Sequence, residues 1–165
     1  MSTISASQVK ELREKTGLGL MDCKKALEEA NGDIDLAIEE LRKTSGIKAS
    51  KKSGRSAADG LIGITTKDKD FFMIEVKCET DFVARDDSYI NFTKETLDTY
   101  SNNPSHSLEQ LLESGVEDNR EKLVQKLGEN IVVRRLAKSD DSSISGSYLH
   151  SNNKIGCIVS LEGGD

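Results

Sequence analysis

The residues of this chain best placed to do chemistry lie together in Cys78-Glu79-Thr80-Asp81-Phe82-Val83-Ala84-Arg85. A thiol, two carboxylates, an aromatic ring and a guanidinium sit where an apolar strand-like run, Phe71 to Val76, gives way to a helical pattern starting near Asp87. Junction loops of this kind are exposed and often carry function on a rigid scaffold. Covalent catalysis is disfavoured, because Cys78 has no nearby base to hold it as thiolate. Two readings of the loop remain open on the residues alone. Asp81 and Phe82 could project as a contact. Alternatively, Thr80 or Asp81 caps a turn while Phe82 and Val83 enter the core.

Other reactive groups are sparse. Cys23, Cys78 and Cys157 are far apart, form no CxxC pair and predict reduced thiols rather than a disulfide framework or zinc ribbon. His106 and His150 have no metal-ligand neighbour at helical or strand spacing. Phosphate-loop, dinucleotide, zinc-protease and nucleophile-elbow motifs are absent from the sequence. The expectation is a protein that is not an enzyme and needs no cofactor or metal.

Composition narrows the class further. The 165 residues carry a net charge of −6, with 35% hydrophobic, 32% charged and 4% aromatic residues and no Trp. That is one ordinary domain or two small ones, without the aromatics of a single-strand-stacking platform. No apolar run is long enough to span a bilayer. The N-terminus enters a polar helix with no signal-peptide core, so a cytoplasmic location is expected.

The elements that must position the loop can be taken in order. Ser5 with Gln8 matches a capping box, Ile4 with Val9 a hydrophobic staple, and Gly17 a helix stop. A second helix starts near Leu20 with the apolar stripe Leu20, Cys23, Ala26 or Leu27, and Ala30. After Asn31-Gly32-Asp33 a third shows Ile34, Ala37, Ile38 and Leu41 on one face. Residues 1–44 thus predict a three-helix module resembling the ubiquitin-associated type, with Leu18, Leu20 and Met21 as an exposed apolar patch.

Residues 45–56 are basic and rich in Ser and Gly, and are expected to form a linker. Subtracting the six positive charges of Arg42, Lys43, Lys48, Lys51, Lys52 and Arg55 from −6 leaves −12 on the rest, which disfavours a general nucleic-acid binder. Residues 57–140 predict an α+β core: an antiparallel hairpin of Leu61 to Thr65 and Phe71 to Cys78, a helix from Asp87 to Tyr100, a capped short helix at Ser107, another from Asp118 to Leu127, and a third strand from Ile131 to Leu136 with a bulge between Val133 and Leu136. Residues 141–165 predict the start of a second, incomplete subdomain. It is a partial second hairpin around Ser151-Asn152-Asn153 that either pairs with a neighbouring copy or is the most mobile part of the chain.

Thr16-Gly17-Leu18-Gly19-Leu20-Met21-Asp22-Cys23-Lys24-Lys25-Ala26-Leu27, Ala30-Asn31-Gly32-Asp33, Thr80 to Arg85, Gly128-Glu129-Asn130-Ile131 with Arg134-Arg135, and Gly146-Ser147-Tyr148 together resemble the bacterial elongation factor Ts family. The match runs in order from Ile4 to the end. That resemblance implies a guanine-nucleotide exchange factor whose partner is elongation factor Tu, mainly its GTPase domain. It favours the projecting reading: Asp81 and Phe82 would be the wedge beside the partner's magnesium and nucleotide site, flanked by Thr80 and Val83. Arg13, Leu20, Met21 and Lys24 would form an anchoring patch, Leu127 and Gly128 a contact near the phosphate loop, and His150 a further contact. Leu20 stands where the family often has Met, and Leu149 where Gln is common. Longer members continue with more strands, a helical hairpin and a terminal helix, so this chain is expected to be a fragment. The alternative function is an adaptor that binds protein through the three-helix module without exchange. An RNA-associated role for the basic stretch is weaker.

Overall fold

The computed structural model describes residues 4–140 and 144–162. The expected subdomain start at 141 and the terminal Gly163-Gly164-Asp165 lie outside these residues. The fold is α+β, and the chain forms two compact units: residues 1–54 with 121–129, and residues 55–120 with 130–165.

In the first unit, helices α1 (Ala6–Thr16), α2 (Leu20–Glu29) and α3 (Ile34–Lys52) surround a core of Val9, Leu12, Leu18, Cys23, Ala26, Leu27, Ala30, Ala37 and Leu41. The boundaries follow from their capping chemistry. Ser5 and Gln8 form the reciprocal capping box of α1, and Gly17 ends it at φ 68°, a left-handed conformation that glycine adopts without a Cβ penalty. Asp33 caps α3 by accepting the Leu36 N–H at 3.0 Å. Two expectations need correction. Leu18, between two glycines, turns inward and is fully buried. Leu20, expected in the α2 stripe, is exposed, because the stripe begins one turn later at Cys23.

The basic stretch expected as a linker from residue 45 is helical as far as Lys52. Leu41, Ser45 and Ala49 recur every four residues and are buried, a narrow stripe whose basic part holds only the small Ser45 and Ala49, which composition alone reads as a spacer. Gly46 costs the helix about 1 kcal/mol in propensity. It leaves room for the Glu121 carboxylate, which a Cβ would approach to 3.1 Å. Segment 121–129, expected within the α+β core, belongs to this unit. Ser45 hydrogen-bonds Gln125, and the Lys52 ammonium donates to the Gly128 carbonyl at 2.8 Å.

In the second unit, β1 (Asp59–Lys67), β2 (Asp70–Cys78) and β3 (Val132–Lys138) form an antiparallel sheet in that order. Asp68 and Lys69 both take positive φ, 51° and 78°, as a two-residue hairpin turn requires. Phe72, Ile74, Val76 and Cys78 are buried on one face, as their alternation predicts. That face packs on α5 (Asp87–Asn102). The Tyr89 hydroxyl donates to the Val76 carbonyl at 2.7 Å, and Phe72 meets Tyr100 edge-on at 5.4 Å. The bulge falls where it was expected. Glu75 faces Arg135 and Val76 faces Val133, leaving Arg134 as the extra residue. Capped α6 (Leu108–Leu111) continues through a π-helical segment kinked at Ser114 and Gly115 into α7 (Glu117–Leu127), of which residues from Glu121 on belong to the first unit. A second antiparallel hairpin pairs β4 (Ile144–Leu149) with β5 (Gly156–Leu161).

Candidate functional site

The loop after β2 separates its neighbours sharply. Thr80 is the N-cap of a single-turn helix, α4 (Asp81–Ala84), its hydroxyl accepting the Val83 N–H at 3.5 Å. Asp86 caps the next helix by accepting the Ser88 N–H at 2.8 Å. Inside this short turn Val83 and Ala84 are buried, whereas Phe82 is 82% exposed. Both readings left open by the sequence are therefore partly realised. Thr80 caps and Val83 enters the core, so Val83 supports the loop from beneath and offers no surface to a partner. Phe82 stands in solvent.

Asp81 points its carboxylate at Arg85, 2.9 Å away, and both side chains are open to water. Such a pair is worth little in stability, so the carboxylate is held in place yet costs little to release. Below the loop, the Cys78 thiol is buried and donates to the Thr80 carbonyl at 3.2 Å, which makes it a packed group rather than a nucleophile. Sequence reading assigned Glu79 no role of its own within the stretch. Its carboxylate accepts the Asn130 backbone N–H at 2.7 Å and pairs with Arg55 at 2.8 Å. Asn130 lies in one of the motifs quoted above, but nothing in one sequence pairs residues 79 and 130.

The remaining expected contacts fall on both units. In the first, Leu20 and Met21 open α2 and are 53% and 72% exposed. Gly19 supplies no side-chain cap there. Lys24 is exposed one turn beyond Met21, on the same helical face. Arg13 is exposed on the last turn of α1. Beside Met21, burial would raise the Asp22 carboxyl, but hydrogen bonds from Lys48 and Gln125 outweigh it and hold the group below its ordinary value. Leu127 is half-buried at the end of α7, and Gly128 stops that helix at φ 79°. In the second unit, His150 is exposed at the β4–β5 turn, its Nδ1 within 2.7 Å of the Tyr148 hydroxyl. Among the described residues no cluster of three or more His, Cys, Asp or Glu could hold a metal ion, and no helix is long and apolar enough to cross a membrane.

The family model for elongation factor Ts matches residues 79–165, beginning at the loop itself. Along its whole length the chain is 51% identical to elongation factor Ts of Hahella chejuensis, of which it covers 58%. It is likewise 46% identical to that of Arthrospira platensis, covering 70% of that protein. The chain belongs to the elongation factor Ts family. It is also 48% identical to elongation factor Ts of Salmonella agona, again along its full length and over 57% of that relative. The chain therefore spans little more than half of several elongation factor Ts relatives. Among the described residues Phe82 is the most exposed large apolar side chain.

Proposed function

We propose that the chain binds elongation factor Tu in its GDP state and promotes GDP release, stabilising the nucleotide-free partner. The observation that carries this reading is Phe82, a solvent-facing ring on a helical turn whose next two residues, Val83 and Ala84, are buried. Family membership points to the partner. Exchange of this kind needs no acid, base or nucleophile. It needs a surface that binds the empty partner more tightly than the loaded one, and linkage then makes factor and nucleotide weaken each other equally.

Magnitudes divide the work among residues. A ten-thousandfold loosening of nucleotide needs roughly 5.5 kcal/mol of differential binding. Burying one Phe supplies about 1.5–3 kcal/mol, so Phe82 cannot act alone. Asp81 adds a carboxylate that exchanges Arg85 for groups around the partner's bound cation. Leu20, Met21, Arg13 and Lys24 add anchoring, with Leu127, Gly128 and His150 as further contacts. Thr80 and Val83 hold the turn that presents the wedge.

The test is release of labelled GDP from elongation factor Tu with rising amounts of the chain. Saturable acceleration is the expected result. A stable complex without faster release would overturn exchange and leave a protein-binding adaptor in its place.

A further inference from the structure

Strand β2 ends at Cys78, and α5 begins at Asp87. Burial of Cys78, Val83 and Ala84 pins the loop to the core at both ends. That leaves the direction in which the chain leaves the strand, which decides where Asp81 and Phe82 point. Glu79 occupies this exit. Its side chain is only 14% exposed, and a carboxylate so far from water is costly unless both oxygens are satisfied.

Both are satisfied, each by a different segment of the chain. Oε1 accepts the Asn130 backbone N–H at 2.7 Å, and Oε2 lies 2.8 Å from the Arg55 guanidinium. Asn130, itself buried, closes the set by donating its side-chain amide to the Arg55 carbonyl at 2.8 Å. Arg55 and Asn130 are the first residues of the two segments that make up this unit. Charge-assisted hydrogen bonds are shorter and stronger than neutral ones. A carboxylate with two such partners in different segments therefore fixes an angle as well as a position.

We infer that Glu79 is a positioning residue for exchange. Through Asn130 and Arg55 it sets the exit angle of the loop, so that Asp81 and Phe82 project together from a base that does not swing. The inference rests on the exchange reading above, and Glu79 itself touches neither partner nor nucleotide.

The experiment compares the chain with its Glu79→Ala and Glu79→Gln variants in two measurements. In GDP release from elongation factor Tu, Glu79→Ala lowers the rate at saturating factor roughly tenfold, within what about an ångström of misplacement costs a positioned group. The half-saturating concentration moves less than about twofold, since the anchoring contacts are intact. Glu79→Gln keeps an acceptor for the Asn130 amide and recovers most of the rate. In amide hydrogen exchange of the free chain, residues 81–86 exchange faster in Glu79→Ala while those of β2 and α5 keep their protection. An unchanged loop, or an unchanged saturating rate, would overturn the inference. So would equal loss of protection in β2, which marks a general folding role. If the unaltered chain fails to release GDP, the exchange reading fails by itself, and the positioning of the loop by Glu79 then stands or falls on hydrogen exchange alone.

Discussion

Phe82 and Val83 are adjacent, apolar and of similar β propensity, yet one faces water and the other the core. The physical consequence is measurable. Phe82→Ala is expected to slow GDP release markedly while costing under about 0.5 kcal/mol of stability, as for an exposed site, rather than the roughly 3–5 kcal/mol of a buried Phe. A melting temperature that falls by many degrees, with normal exchange per folded molecule, would make Phe82 a core residue instead. Sequence marked the loop but could not sort its residues, because a single helical turn is too short for periodicity to assign faces. Glu75 carries a second residue-scale prediction. Burial would raise its carboxyl, but Arg135 and Arg134 donate to it and together hold it below its ordinary value of 4.5. A carboxyl depressed by folding contributes stability above its unfolded pKa and loses it as pH falls through the folded one. The stability advantage of the native chain over Glu75→Gln is therefore expected to shrink as pH falls below the ordinary carboxyl value of 4.5. Thermal melts of both proteins above and below that value check it, and a constant difference would rule the linkage out.

At the scale of elements, the strands and most helix boundaries were legible because local rules fixed them. Alternation placed Phe72, Ile74, Val76 and Cys78 inside, and the apolar break after Val133 marked the bulge that brings Arg134 and Arg135 to one carboxylate, Arg134 at 3.1 Å. What stayed hidden was the extension of α3. Its stripe of Leu41, Ser45 and Ala49 is too small and too polar to register as amphipathic, and its partner, segment 121–129, lies some eighty residues away in sequence. Strand β1 supplies a test that needs no partner. Gly60 takes φ 151°, and a Cβ there would lie 2.2 Å from the Val76 carbonyl oxygen and 2.9 Å from the Lys77 Cα. Backbone cannot yield as a flexible side chain can, so Gly60→Ala is expected to cost on the order of 3 kcal/mol. Gly146→Ala, where a Cβ meets nothing within 4 Å, is the control. Equal melting temperatures for the two variants would show that β1 tolerates a shift in register.

For the whole molecule, the proposed exchange reading places separable tasks on the two units. Met21→Ala is expected to weaken complex formation with elongation factor Tu while leaving exchange at saturating factor nearly intact, because the first unit has its own core and the proposed wedge lies in the second. Loss of saturating exchange with binding preserved would contradict that division. The β4–β5 hairpin raises a different question. The turn is tied down: the Ile62 N–H donates to the Asn153 carbonyl at 2.7 Å, the Lys154 ammonium lies 2.7 Å from Asp59, and Gly156 packs against Ile62 and Ile64. One face of the hairpin is less well covered. Ile144, Tyr148, Ile155, Val159 and Leu161 are all exposed, and a two-stranded sheet offers its outer backbone groups to any other strand. Anchoring at the turn with an apolar face left open predicts amide exchange that rises along β5 from Gly156 toward Leu161 in dilute solution. It also predicts association between copies as concentration rises, the average mass climbing above 18.1 kDa in sedimentation equilibrium. Leu161→Lys, on the exposed face, should abolish the association without altering GDP release, since the wedge lies elsewhere in the chain. Strong protection of all of β5 in a dilute monomer would show that the hairpin is closed and stable by itself, and the open edge would then have no consequence.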